Sequence, residues 1–242
     1  LTGQWFNVKN GKYPIKAVFE ALKPHLSEQR LNRFEFVLNH RLKSVVLGVE
    51  DVHKEHNGAA CIRTAEGLGL QQVVAAELRN AYPLPKESHK IPSNVSMHSH
   101  RWIDLHTVNH GLDLIEWAKS RQYRVYGAGP RGTISLQEIP VDQPLMILFG
   151  NEGRGLVDET MNACDEIFRI PMFGFTESFN LSVSVGMVLQ DICARVRNRL
   201  QAEGKQGELS EDEKMHYLAH WAVRDLPHAE AMLRRYLGDP EK

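Results

Sequence analysis

Val45-Val46-Leu47-Gly48-Val49 is an unbroken apolar run, the pattern of a strand buried on both faces rather than one. Downstream of it, short apolar runs alternate with helical periodicity. The spacing predicts helices over 57–68 and 112–120, one beginning near 156, and a long one from Asn180. Strands are predicted over 72–76, 102–106, 123–126, 145–149 and 167–171, with a Pro-rich loop over 81–93. In the long helix Leu181, Val185, Val188, Ile192 and Val196 recur on one face. Buried strands alternating with helices make an α/β domain with a mostly parallel sheet.

Upstream, two short helices are expected over 15–22 and 27–38, parted by Pro24, with Ser27 as N-cap and Phe34, Val37 and Leu38 as an apolar stripe. Residues 201–207 read as a linker, and two polar helices follow over 211–223 and 228–237. The expected organisation is a basic helical extension (1–43), an α/β domain (44–200) and a helical C-terminal extension (201–242).

The chain has 242 residues, 42% hydrophobic and 24% charged, an ordinary soluble composition. It lacks a run of about 18 apolar residues, which argues against a membrane helix, and no secretory signal pattern is read at its start. Cys61, Cys164 and Cys193 are odd in number and never in C-x-x-C spacing, so they read as core thiols in a reducing, cytoplasmic compartment. Net charge is −1, but residues 1–43 hold eight Lys/Arg against three Asp/Glu, a basic end suited to phosphate contacts.

Several motifs need weighing. Gly127-Ala128-Gly129-Pro130-Arg131-Gly132 matches G-x-G-x-x-G, yet Pro130 inside it and Pro140 and Pro144 beyond it oppose the helix that a dinucleotide site needs. Gly150-Asn151-Glu152-Gly153-Arg154-Gly155 imitates a phosphate loop but continues as Leu156-Val157, without the required Lys and hydroxyl. His216/His220 and His98/His100 lack a third ligand at metal spacing and read as surface histidines, so no metal is expected. Asn57 alone would be a helix cap and Arg63 a partner for Glu66; Ser178 and Asn180 stand where caps of the long helix belong. Three strand-to-helix turns rich in Gly, Asn, Ser and acid point instead to one ligand pocket.

These turns, in this order, resemble the motifs of the SPOUT superfamily of knotted RNA methyltransferases, in its TrmH-type branch. The first is Glu50-Asp51-Val52-His53-Lys54-Glu55-His56-Asn57 with Ala60-Cys61-Ile62-Arg63-Thr64-Ala65-Glu66, and the second is Leu148 to Leu156. The third is Ile170-Pro171-Met172 followed by Ser178-Phe179-Asn180-Leu181-Ser182-Val183-Ser184. The match spans roughly 44–200, and its His-Lys-x-His-Asn form is nearest the tRNA ribose methylases that modify a D-loop guanosine.

The resemblance implies a deep trefoil knot, a homodimer, and S-adenosyl-L-methionine (AdoMet) as methyl donor to a ribose 2′-hydroxyl of tRNA. It places catalysis on Asn57, Arg63, Glu152, Ser178 and Asn180. It places the cofactor against Phe149, Gly150, Asn151, Gly153, Ile170, Met172, Ser178 and Leu181. Two departures are visible: Phe179 replaces the usual Leu of Ser-Leu-Asn, and His100 stands where small residues are common. Ribosomal RNA methylation and a catalytically silent RNA-binding module are the competing readings. Because guanidinium stays protonated in proteins, Arg63 reads as a cationic clamp, with a substrate phosphate or water taking the proton. Arg195, Arg197 and Arg199 are expected to add RNA contacts to those of residues 1–43.

Overall fold

The structure, a computed structural model, describes residues 5–9, 11–82 and 99–241. In chain order its elements are β1 (Trp5–Val8), β2 (Gly11–Pro14), α1 (Ile15–Leu22), α2 (Glu28–Asn39), β3 (Leu42–Glu50), α3 (Glu55–Gly67) and β4 (Leu70–Ala76). They continue with β5 (Asp104–Val108), α4 (Gly111–Lys119), β6 (Arg124–Ala128), β7 (Ile134–Ser135), β8 (Leu145–Phe149), α5 (Asp158–Ala163) and β9 (Glu166–Arg169). The last three are α6 (Leu181–Ala202), α7 (Glu211–Asp225) and α8 (Ala229–Leu237). Most of the Pro-rich loop, with His98, lies outside the described residues.

The chain forms two compact units, one of Leu42–Gln206 and one that joins Leu1–Arg41 to Gly207–Lys242. The larger unit is built on a seven-stranded sheet in the order β5-β4-β3-β8-β6-β9-β7, and every described pair is parallel. β3 sits inside it between β4 and β8, which is why its sequence carries no polar alternation. Val45, Leu47 and Val49 enter one core layer with Ile147 and Phe149 of β8, Ile62 of α3, and Val185, Val188 and Ile192 of α6. Val46 enters the opposite layer with Met146 and Leu148 of β8 and Leu114 and Ile115 of α4. Gly48 faces that second layer, where a Cβ would lie 2.9 Å from Met146 Sδ. The residues Gly129 to Gly132 form a tight turn, with Gly132 N–H donating to Gly129 O (3.1 Å). No helix opens there, and a Cβ on Gly132 would meet the backbone of Phe168 at 2.3 Å.

In the smaller unit β1 and β2 make a hairpin that sequence periodicity did not predict. The two chain ends are tied by a two-way backbone bridge: Lys12 N–H donates to Glu241 O (2.8 Å) and Glu241 N–H to Lys12 O (3.0 Å). Phe34 of α2 meets Trp221 of α7 edge-on (5.5 Å), so the apolar stripe of the first segment packs on the last one. Arg30 pairs with Asp225 at 2.8 Å. His216 and His220 are not the surface histidines expected. His220 stacks on Phe6 (4.6 Å) and on His216 (4.3 Å), because α7 turns that face toward the hairpin.

Candidate active site

The site is assembled where β3 and β8, adjacent and parallel, end side by side. After β3 the chain turns at Asp51, whose φ of +53° is unusual for a residue with a side chain. After β8 it turns at Gly150, where a Cβ would lie 2.0 Å from the Gly155 carbonyl carbon, so only glycine fits. Asn151 and Gly155 close this second turn by exchanging backbone hydrogen bonds (3.0 and 2.8 Å). Asn151 Oδ1 accepts from Gly153 N–H (2.9 Å), and its Nδ2 donates to Asp51 O (2.7 Å), which locks the two turns together. Arg154 Nη2 adds an ion pair with Asp51 Oδ2 at 3.1 Å.

Glu152 projects from this locked turn toward the start of α3. Its Oε1 accepts from Asn57 Nδ2 (2.8 Å) and Lys54 N–H (3.1 Å), and its Oε2 accepts from His53 N–H (3.0 Å). Burial pushes the Glu152 carboxyl up, but the bonds from Asn57, His53 and Lys54 outweigh that and hold it below the usual carboxylate range. Asn57 is buried and lies inside α3 rather than at its cap, which Lys54 occupies. Its side chain is thus free to bridge: Asn57 Oδ1 accepts from Asn180 Nδ2 at 3.1 Å. Asn180 caps α6, its Oδ1 accepting from Ser182 N–H (2.9 Å) and Ser182 Oγ (2.7 Å). Glu152, Asn57 and Asn180, from three separate motifs, therefore form one continuous hydrogen-bonded chain.

A model of the SpoU rRNA Methylase family matches residues 44–190. The chain belongs to that family. A tRNA (guanosine(18)-2′-O)-methyltransferase of Borreliella burgdorferi is 32% identical over 73% of this chain and 78% of its own length. A 23S rRNA (guanosine-2′-O-)-methyltransferase, RlmB, of a Burkholderia species is 30% identical over 77% of this chain and 70% of its own. The crystal structure of a TrmH/SpoU tRNA modifying enzyme of Aquifex aeolicus superposes with a TM-score of 0.71 at 26% identity, covering 83% of this chain and 98% of that one.

The other residues that sequence reading expects at the site of this SpoU methylase differ in exposure and partners. Phe149 is buried edge-on to Phe168 (6.3 Å), and Leu181 is buried in the same layer, so both offer backbone rather than side chain. Ile170 packs partly buried against that layer, and Met172 is half-buried. Asn151 and the N–H of Gly153 are already committed within the turn. Ser178 is exposed and has no hydrogen-bond partner among the described residues. Arg63 is likewise exposed and unpaired among them, including with Glu66. It lines an open groove of about 660 Å³ between α3 and α6 with Thr64, Gly186 and Gln190, apart from the Glu152–Asn57–Asn180 chain.

The arginines of α6 are engaged within the protein. Arg195 donates to the carbonyls of Ile139 (2.6 Å) and Leu136 (3.0 Å) and pairs with Asp191, and Arg197 donates to Leu68 O (2.8 Å). Arg199 donates to Val141 O. A helix passing under loops whose carbonyls lack ladder partners satisfies them with guanidinium forks. Sequence reading also missed Asp51. Its Oδ1 accepts from Arg79 N–H, Asn80 N–H and Asn80 Nδ2 (2.8, 2.8 and 2.9 Å), which makes it the pin between three chain segments. An acid between a buried strand and a His-Lys run was the available signal.

From Pro171 to Phe179 no residue makes a hydrogen bond among the described residues, so the backbone amides and carbonyls that lead into Asn180 are uncommitted. Among the described residues no three His, Cys, Asp or Glu side chains gather as a metal site, and no helix is long and apolar enough to cross a membrane.

Proposed function

We propose that this chain methylates the ribose 2′-hydroxyl of a guanosine in the tRNA D-loop, using AdoMet. The observation that carries the reading is the Glu152–Asn57–Asn180 chain beside the uncommitted 171–179 backbone. The cofactor supplies an electrophilic methyl on a sulfonium. Everything else is placement by the protein. The Gly150 turn and the 171–179 backbone hold the donor, with the backbone of Phe149 and Leu181 and the side chains of Ile170 and Met172 against it. Glu152 fixes Asn57, and Asn57 fixes Asn180, so the amides and Ser178 present a rigid polar edge to the ribose. Their arrangement is already made before substrate arrives, which is the condition for electrostatic placement to lower a barrier by a few kcal/mol.

A homodimer belongs to this reading. Phe179, Val183 and Met187 are exposed at helical spacing along the start of α6 (41%, 49% and 39%), and Phe173 and Phe175 stand fully out from the preceding loop. A second copy covers such a face, and it brings a further guanidinium to a site whose own Arg154 is tied to Asp51. That guanidinium is Arg63, the clamp on the attacking hydroxyl. The knot is supported by strand order: β9 lies between β6 and β7, which both precede it, so the chain returns through an interval bounded by an earlier turn. Cys61, Cys164 and Cys193 join in no disulfide among the described residues, which fits a cytoplasmic protein. The test is methylation of total RNA with labelled AdoMet and mapping of the ribose-blocked positions. A D-loop guanosine is expected; modification confined to ribosomal RNA refutes the tRNA assignment.

A further inference from the structure

We infer that His53 is the proton acceptor for the ribose hydroxyl, an inference that rests on the methyl-transfer reading above. Its place follows from Glu152: the same carboxylate that receives Asn57 Nδ2 on one oxygen receives the His53 N–H on the other. His53 therefore stands at the exposed rim of the Glu152–Asn57–Asn180 chain.

Its tautomer follows from the network. Asp51, ion-paired with Arg154, is an acceptor only, so the Asn80 side-chain atom 2.9 Å from Asp51 Oδ1 is the amide nitrogen. The other terminal atom of Asn80 is then the oxygen, and it lies 3.2 Å from His53 Nδ1. Two acceptors do not bond, so Nδ1 carries the hydrogen. A neutral imidazole protonated on Nδ1 has its lone pair on Nε2, and Nε2 has no partner among the described residues. An acid, an amide and an imidazole in series orient the ring, as a second carboxamide or carboxylate orients the base of other hydrolytic and transfer sites.

The step balances. Nε2 takes the hydroxyl proton as the ribose oxygen forms its bond to the methyl carbon; the methyl–sulfur bond breaks and its electrons stay on the sulfur, leaving a neutral thioether. The positive charge passes from sulfonium to imidazolium, which returns its proton to water. The charged groups next to His53 in the chain or in its hydrogen-bond network are the paired Asp51 and Arg154, Glu152, the neighbours Lys54, Glu55 and His56 on its own segment, and Arg79 beside Asn80.

His53→Asn tests this, because its amide keeps a donor toward Asn80 and removes Nε2. Long-range ¹H–¹⁵N spectra of the native protein should show the Nδ1–H form, with the balance moving toward Nε2–H in Asn80→Ala. Single-turnover methylation of unmodified tRNA by the native protein should rise with pH to a plateau. His53→Asn should be about 100-fold slower without that rise and bind AdoMet within twofold of the native value, and a separate His53→Gly variant should be rescued by added imidazole. A native Nε2–H ring, or a His53→Asn variant with native rate and pH profile, overturns the assignment of the base alone. Native protein that moves no methyl to any RNA overturns the activity reading and the base with it.

Discussion

Glu152 and Asn57 are 95 positions apart in the chain and joined by a 2.8 Å hydrogen bond from Asn57 Nδ2 to Glu152 Oε1. Removing the acid leaves a buried amide and two backbone N–H groups, of His53 and Lys54, without their acceptor. An unsatisfied buried donor costs about 1–3 kcal/mol. Glu152→Ala should therefore lower the melting temperature and cut kcat by tens to hundreds of fold. AdoMet affinity, measured by calorimetry, should change much less. A variant that loses only cofactor binding would remove Glu152 from substrate placement.

Arg63 lines a groove and stands outside the hydrogen-bonded chain. Arg63→Lys keeps the charge but not the planar fork, and kcat should fall at least tenfold with AdoMet binding unchanged. If the arginine serves the partner protomer, mixing Arg63→Ala with Asn57→Ala should restore part of the activity, since hybrid dimers hold one intact site. Two inactive variants that stay inactive on mixing, in a confirmed hybrid, would return Arg63 to its own protomer.

Gly150 and Gly153 differ in what a methyl group would meet. At Gly150 a Cβ falls 2.0 Å from backbone, whereas at Gly153 the nearest atom is Asn151 Oδ1 at 3.7 Å. Gly150→Ala should open the turn, shift Glu152 and abolish transfer. Gly153→Ala should keep its melting temperature within a few degrees. Equal tolerance at both positions, by thermal denaturation and labelled-methyl transfer, would contradict the close approach.

His220 gives the smaller unit a pH dependence. Burial, then His216 and Arg224, push its imidazole down to about 4. The unfolded chain takes up that proton from about pH 6.5 and the folded one only near 4. The His220 contribution to stability is thus present above about pH 6.5 and is lost as pH falls toward 4. His220→Phe, which keeps an aromatic ring beside Phe6, should flatten the fall in melting temperature across that interval. An unchanged pH profile would count against it.

The fold was legible because the Val45–Val49 stretch of β3 and all of β8 carry no polar residue and α6 has a clean apolar face, and these are local patterns. The β1–β2 hairpin was not, since Trp5–Val8 and Gly11–Pro14 are four residues each and owe their pairing to a segment more than two hundred residues away. At the site, residue types and order named Glu152, Asn57 and Asn180 without saying how they meet. The meeting depends on Asn57 being inside α3 instead of capping it, a one-turn difference that periodicity does not resolve. The internal partners of the α6 arginines were hidden for the opposite reason. The charge of the arginines is written in the sequence, while the loop carbonyls that absorb it, at Leu136, Ile139 and Val141, become neighbours only in the folded chain.

The bridge between Lys12 and Glu241 sets an order of events during synthesis. Residues 5–41 leave the ribosome with half of their fold still untranslated, and Phe6 and Phe34 have no Phe–His or Phe–Trp contact until α7 emerges. The strands and helices between them form a contiguous stretch and can close first. The smaller unit is completed only when residues 207–241 have been made, so a ribosome stalled before α7 should release a folded sheet trailing a sticky, unfolded N-terminal segment.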